Sequence, residues 1–567
     1  MRTYKAAESR TFPKCLAGTP PLALTAMLLL GNAVDASAQS PSIEFESHQK
    51  TDPTPATPVP LVDRKSLAAP VSGIDKIVIR SFRFSGAQLI TPETLAAEVA
   101  SFTGRELAAD DLHRAAVEVA RSYLRRGSMA RVRVKAVSLA EGIAEIEIQE
   151  LRIGQVRVEL PSDTRIAPEM VERFVTGGLD AGAPVPLARL EDGISMLNAE
   201  PGIAAAIAID PGAKPDEVDI IVRVQDRPIL SGRVSLDNHG LREIGQDRLG
   251  LALRASNAFG LAERFALGLE QTAGSTLVAP SLSVALPKPG MRLGLEATAA
   301  SYEAKRGGAA LELKGDFLRW RAFLQHRWRY APGLALNTDY SFWRTTYHDD
   351  SIFGELHRRR ISGASVNLAG IARTDSGLSR VGLDVERGRA DLSANAADFA
   401  ADAISAKIDG SFWRLRWHLG HEFTLGAGTL ALRVNGQWAD RNLDATQQFT
   451  LGGVAKVRAY PTVEALGDGG WIAGAEWRQP MAANVDGRLF VDSGSIQRNT
   501  KPWTNQRNRY ELSGFGAGLT WRMPEEFRFS ADLARQWGGN AGRNLDGTDS
   551  DGRNSRWRLW LVLSREF

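Results

Sequence analysis

LALNTDYSFW, Leu334 to Trp343, puts Leu334, Leu336, Thr338, Tyr340 and Phe342 on one side of an extended chain and Ala335, Asn337, Asp339, Ser341 and Trp343 on the other. Successive strand side chains point to opposite faces, so this is a strand with one apolar and one more polar face. The same period-two grammar runs from Pro228 to Phe567, broken by turn signals such as Asn257-Ala258-Phe259-Gly260, Pro287-Lys288-Pro289-Gly290 and Ala331-Pro332-Gly333. Helix signals almost vanish there. The final run is the clearest, with Trp557, Leu559, Leu561, Leu563 and Phe567 on one side, Arg558, Trp560, Ser564 and Glu566 on the other, and Arg565 the exception on the apolar face.

A soluble sandwich alternates too, so the pattern needs support from the rest of the chain. Residues 1–38 supply it: a basic stretch to Lys14, an apolar run from Leu22 to Leu30 that is too short to span a bilayer, and the small-residue site Ala36-Ser37-Ala38, with cleavage expected before Gln39. An exported chain with a long series of amphipathic strands and a C-terminal aromatic fits a transmembrane barrel, which satisfies every backbone group in lipid without leaving an edge. At roughly 21 residues per strand and connection, 228–567 holds about sixteen antiparallel strands. No segment reaches the apolar length of a membrane helix.

Composition narrows the chemistry. The chain has 69 Lys and Arg against 66 Asp and Glu, and the signal removes four and two of these, leaving 65 against 64. That balance carries no nucleic-acid footprint. The only cysteine, Cys15, leaves with the signal, so the mature protein has no disulfide framework, thiol nucleophile or thiolate metal site.

Between signal and barrel, residues 39–74 read as a linker with Pro53, Pro55, Pro58 and Pro60, with room for a short plug helix. Residues 75–151 read as a compact βααββ unit: a strand from Ile77 to Phe84, a Thr91-Pro92-Glu93 helix start, and Leu112, Ala116, Val119 and Tyr123 on one helical face ended by Gly127. Two strands follow, in which Val132, Val134, Ala136 and then Ala144, Ile146, Ile148 alternate with charged or polar residues. Residues 152–227 repeat the plan, with Leu190, Ile194 and Leu197 on a helix, turns at Pro201-Gly202 and Pro211-Gly212, and a strand carrying Val218, Ile220, Val222 and Val224.

Within the barrel segment one connection stands out. LGGVAKVRAYPTVEALGDGGWIAGAEWR, Leu451 to Arg478, is a long loop with an arginine near its tip that re-enters a strand at Trp471, Ala473, Ala475 and Trp477. The next strand carries Phe490-Val491-Asp492-Ser493-Gly494. If the loop, 451–470, folds inward, Arg458 can reach Asp492.

These features together resemble the TpsB-type outer-membrane transporters of two-partner secretion, the haemolysin and haemagglutinin secretion and activation family within the superfamily that joins POTRA domains to a barrel. Ser235-Leu236-Asp237-Asn238-His239-Gly240 is similar to the family's S.DN.G at the start of the barrel; Val457-Arg458-Ala459-Tyr460 is similar to its VRG(Y/F) loop motif; Phe490, Asp492 and Gly494 match F.D.G on a following strand; and the order of the two tandem units with their LN..PG pattern resembles POTRA domains. The resemblance covers essentially the whole mature chain. It implies α+β POTRA domains at 75–151 and 152–227, in the periplasm, followed by an all-β outer-membrane barrel. It further implies an inward loop held by Arg458 on Asp492, and Phe567 as a C-terminal assembly signal.

The implied function is secretion of a large, unfolded TpsA-type exoprotein encoded nearby, caught by strand addition to the POTRA units and passed through the lumen. No phosphate-cradling loop is present, so hydrolysis does not drive transport and no enzyme activity is expected. Outer-membrane lipids and, during biogenesis, the barrel-assembly machinery are further partners; nucleic acid is not. The alternatives are a barrel-assembly factor of the same superfamily and a passive pore, the latter needing no periplasmic domains. One departure is local: the family usually has glycine where this chain has Ala459, and alanine tolerates a left-handed backbone poorly, so the loop tip is expected to differ.

Other motifs read as structural. His418 and His421 fall on opposite strand faces, so no metal site or cofactor is expected. Gly514-Phe515-Gly516-Ala517-Gly518 sits in a strand and reads as close barrel packing. Asp546, Asp549 and Asp551 read as a solvated surface loop, and Arg358-Arg359-Arg360 as a loop charge run, with lipid headgroups at the rim as its alternative.

Overall fold

The computed structural model describes residues 77–138, 141–331 and 333–567. The signal, Cys15 and the linker at 39–74 lie outside the described residues.

The first unit places Ser81–Ser85 parallel to Ile143–Glu150, which in turn pairs antiparallel with Ala130–Ser138. Helices Pro92–Glu98 and Ala109–Arg125 cover one face. The first begins where Thr91 accepts a hydrogen bond from the Thr94 backbone N–H and proline occupies the first turn. Leu112, Ala116, Val119 and Tyr123 are fully buried against Val132, Ala144 and Ile146, so the stripe read from the sequence is the core. Burial pushes the Tyr123 phenol upward, and its hydrogen bond to Glu150 adds to the shift.

The second unit is a sheet of Arg152–Glu159, Glu217–Asp226 and Ile203–Pro211, with Glu217–Asp226 in the centre. Its helix Leu187–Asn198 ends on Asn198, whose side-chain amide donates to the Ala205 carbonyl and accepts from the Ala205 N–H. That one side chain aims the strand following the turn. In the turn, Gly202 has a φ of 74° and lies so close to the Ser256–Asn257 backbone that no Cβ would fit.

Sixteen antiparallel strands close into a barrel, beginning with Leu230–Asp237 and ending with Trp557–Glu566. The strand number expected from length is the one observed. Outward positions such as Tyr340, Phe342, Leu368 and Leu383 are exposed, and forming a lipid-facing band is what this alternation is for. The wall is uneven. Leu334–Ser351 and Gly354–Thr374 form a tall hairpin paired along its whole length, whereas the seam joins only Arg233 to Asp237 with Glu566 to Val562.

The second unit is fastened to the periplasmic rim. Arg292 of the strand Met291–Glu303 pairs with buried Glu200, the Arg165 side chain donates to the Asn257 carbonyl at 2.8 Å, and Ala262 from the first periplasmic turn joins the core of the unit. Burial pushes the Glu200 carboxyl upward against the opposing pull of Arg292.

Leu112→Ala empties a fully buried site in the first unit and should cost ~2–5 kcal/mol there. Limited proteolysis should then cut the region 77–150 faster, while the barrel keeps its heat-modifiable migration on gels; equal cutting rates would contradict the packing.

Candidate functional site

The connection between the strands Gly428–Ala439 and Gly469–Ala482 spans residues 440–468 and crosses the lumen. It therefore leaves the wall earlier than the motif suggests, and Gly469 and Gly470 already belong to the returning strand. Phe449–Thr450 pairs with Leu466–Gly467, giving the loop a neck. Val457, Ala459 and Tyr460 pack with Phe490, Ile472, Leu512 and Tyr510 in a small apolar core of their own. A loop with a buried core is a fixed element.

Phe490, Asp492 and Gly494 are spaced by two and so share the lumen face of Val485–Gln497. The Arg458 side chain donates from Nε to Asp492 Oδ2 at 2.7 Å and from Nη2 to Oδ1 at 3.0 Å, a bidentate fork. Its third nitrogen, Nη1, donates to Glu476 Oε2 at 2.5 Å. The guanidinium carbon lies 3.4 Å from the centre of the Phe490 ring. Arg458 is only 5% exposed and Asp492 1%. Arg433 reaches the same carboxylate at 2.8 Å and also donates to the Lys456 carbonyl at 3.0 Å, while the Trp560 indole N–H donates to the Arg458 carbonyl at 2.7 Å. Two arginines and two carboxylates thus tie the loop to three wall strands. Glu476, Arg433 and Trp560 escape a motif reading, yet the alternation that starts at Trp471 already turns Glu476 inward.

Glycine clears the space these groups need. A Cβ at Gly474 would meet Arg433 and Asp492, one at Gly514 would collide with the Ala459 methyl, and one at Gly516 would collide with the Phe490 ring. The glycine run 514–518 is therefore the wall's recess for the loop. It also answers the substitution at Ala459: that residue is not in a left-handed conformation. The left-handed residues are Val463, φ 66°, and Ala465, φ 61°. Room for the extra methyl comes from Gly514 on the wall strand directly against it.

The loop is also held at its outer end. Glu464 accepts from Asn540 Nδ2 at 2.5 Å and from the Ser550 N–H at 2.7 Å. Asp468 accepts from the backbone N–H groups of Leu443 and Thr500. Two sequence expectations fail here. The acidic run is not solvated throughout: Asp546 is exposed, as expected, but Asp549 is fully buried against Arg543 and Arg558, and Asp551 pairs with Arg558. Arg358-Arg359-Arg360 lies in a strand, and Arg359 is buried between Asp398 and Asp444 at 2.8 Å from each, tying the neighbouring extracellular loop to the base of the plug loop. A charge run counted along the chain hides that alternate residues of a strand face opposite ways.

At the start of the barrel, Asp237 holds Arg248 and accepts from the His239 N–H, and Gly240 fits under the carbonyls of Gly245 and Gln246 where a Cβ would not. Asn238 donates to the Leu559 carbonyl at 3.0 Å and accepts from the Leu561 N–H at 2.8 Å, extending the short seam with a side chain. Phe567 exchanges backbone hydrogen bonds with Gly232, and its ring fills the space over that glycine. Elsewhere the lumen wall is lined by matched pairs such as Arg416–Asp384 and Arg488–Asp532. Among the described residues no cluster of His, Cys, Asp and Glu is suited to a metal ion.

The sequence profile of the haemolysin secretion/activation protein ShlB/FhaC/HecB family matches residues 216–521. Heme/hemopexin transporter protein HuxB of Haemophilus influenzae strain 86-028NP is 22% identical over 492 residues, 85% of each chain. Outer membrane transporter CdiB of Dickeya dadantii strain 3937 is 23% identical over 190 residues, 33% of this chain and 32% of its own. Among solved structures, CdiB from Escherichia coli superposes with a TM-score of 0.65 at 17% identity, covering 97% of this chain and 100% of that one. BamA from Haemophilus ducreyi lacking POTRA domains 1–3 shares the fold at a TM-score of 0.54 and 12% identity, over 87% of this chain and 100% of that truncated chain.

Gly514→Ala should drive its new methyl into Ala459 and loosen the loop, and Ala459→Gly in the same chain should restore the fit. The readout is single-channel conductance in planar bilayers: frequent large openings in the single variant, and a return to wild-type behaviour in the double. Absence of rescue would show that the two residues do not share this space.

Proposed function

The chain belongs to the haemolysin secretion/activation protein family ShlB/FhaC/HecB, the outer-membrane transporters of two-partner secretion, and from that premise we propose that it exports one large exoprotein, unfolded, through its own barrel. The observation that carries this reading is a lumen crossed by a single loop, seated on the wall through the Arg458–Asp492–Glu476 ion pairs and the packing of Val457, Ala459 and Tyr460. Breaking such a buried pair costs several kcal/mol, which a polypeptide entering the lumen must offset with contacts of its own.

The periplasmic units are the proposed receptor. Among the described residues, Ser81–Ser85 and Ala130–Ser138 in the first unit and Ile203–Pro211 in the second each pair on one side only, whereas the outer edge of Arg152–Glu159 is bridged at its start by residues 182–185. An extended substrate adds to such an edge main chain to main chain, with side-chain grooves giving selectivity. The joint through Glu200 and Arg292 then delivers it to the rim of the barrel. Inside, matched wall charges such as Arg416–Asp384 and Arg488–Asp532 offer an extended chain a polar path. Folding outside makes transit irreversible without nucleotide hydrolysis. The partner is the large exoprotein encoded beside this gene, and Phe567, closing the seam on Gly232, is the proposed signal read by the barrel-assembly machinery.

Arg458→Ala should sharply reduce secretion while the barrel still reaches the outer membrane. Arg458→Lys should fail similarly, because an ammonium cannot serve two oxygens of Asp492 and one of Glu476 in one plane. Wild-type secretion by either variant at normal surface levels would remove the ion pair from the mechanism.

Deleting 75–227 should stop secretion of the neighbouring exoprotein and leave other outer-membrane proteins at normal levels. General loss of outer-membrane barrels instead would make this chain an assembly factor.

A further inference from the structure

Three arginines on the outer wall have no role in the lumen. Arg344 lies on Leu334–Ser351, and Arg387 and Arg389 on Gly377–Asp391; all three share the lipid-facing side with Phe342, Val366, Leu383 and Val385. The register aligns them. Trp320, Arg344, Ser362, Arg389 and Ser411 are successive partners across five strands, and Phe342, Ala364, Arg387 and Trp413 follow one another on the rung below. They surround an open depression of about 450 Å³.

Height identifies the solvent this depression meets. Below it on the strand Leu334–Ser351, the outward residues are Leu334, Leu336, Thr338, Tyr340 and Phe342; above it they are Thr346, His348 and Asp350. The change from apolar to polar marks the extracellular edge of a band roughly 25 Å tall. Trp320, Phe342 and Trp413 sit at that edge, where aromatic rings are favoured. The depression therefore opens at the headgroup level of the outer leaflet.

Its charge is unbalanced, in contrast to the neighbouring arginines. Arg358 pairs with Glu355, Arg359 with Asp398 and Asp444, and Arg360 with Asp391. Among the described residues no carboxylate lies within ion-pair distance of Arg344, Arg387 or Arg389; Asp391, already paired with Arg360, attracts Arg389 only at longer range, and Arg387 lies over the Trp413 ring at 5.0 Å. Arg344 and Arg389 are two strands apart, roughly 10 Å, with only Ser362 between them on their rung. Like charges gathered at a membrane edge call for an anion, and guanidiniums bind phosphate oxygens in pairs.

We propose that this depression binds the phosphorylated headgroup of an outer-leaflet glycolipid. Arg344, Arg387 and Arg389 clasp its phosphate, Ser362 and Ser411 meet its polar sugar, and its acyl chains lie along Val385, Leu383 and Val366. The tall hairpin stands directly above and takes the headgroup as its footing.

The test uses the full-length transporter in detergent, with bis-phosphorylated lipid A as probe and native mass spectrometry to read retention. The Arg344→Gln, Arg387→Gln, Arg389→Gln variant should hold it at least ~10-fold more weakly, and Arg358→Gln with Arg360→Gln should stay within about twofold of wild type. Heat-modifiable migration confirms a folded barrel; if the triple variant does not fold, Arg389→Gln alone should still weaken retention by about threefold. Millimolar inorganic phosphate should not displace the lipid. Undiminished retention by the folded variants, equal binding of dephosphorylated lipid A, or displacement by inorganic phosphate would each overturn the proposal, the last by making this a free-anion site.

Discussion

A guanidinium buried in the lumen and shared between Asp492 and Glu476 is the contact around which this barrel is arranged. Removing a charge from water costs several kcal/mol unless its hydrogen bonds are remade, and here the fork to Asp492 and the bond to Glu476 remake them. The cost of losing either partner, ~3–5 kcal/mol for a buried pair, makes the arrangement all or nothing. Much of the neighbouring sequence follows from it: Phe490 must lie flat under the cation, Gly516 must yield to Phe490, and Gly474 must leave room for Arg433. The apolar packing of Val457, Ala459 and Tyr460 surrounds these charges and keeps water from competing for them.

What could be read from the sequence was what repeats or is spaced by strand geometry. Period-two alternation gave the barrel and the segment's length its strand number, helical spacing gave both periplasmic cores, and the two-residue step of Phe490, Asp492 and Gly494 put them on one face. Pairings that depend on register across distant strands were not legible. Nothing in the order of residues says that Gly514 faces Ala459, or that Arg359 turns inward to Asp398 and Asp444 while Arg358 and Arg360 turn out. Asp549 and Asp551 of the acidic run failed for the same reason: loop composition suggests water, as holds for Asp546, but their partner Arg558 lies on the last strand beyond a turn.

The periplasmic joint shows the same economy of side chains. Asn198 aims a strand, Gly202 allows the turn to approach the barrel backbone, and Glu200 between them takes Arg292 from the wall. Three neighbouring residues thus set the orientation of the second unit at the mouth of the barrel.

The loop is not relaxed in its seat. Val463 and Ala465 both adopt left-handed backbone conformations, and a β-branched residue there is a genuine outlier, at roughly 1–2 kcal/mol each. Glu464 lies between them and is clamped by Asn540 and the Ser550 N–H. Val463 and Ala465 thus hold their strain between two anchors, Glu464 on the last extracellular loop and Arg458 on Asp492. The seat balances that strain against buried ion pairs and the apolar packing of Val457, Ala459 and Tyr460, so releasing a single anchor leaves the others in place.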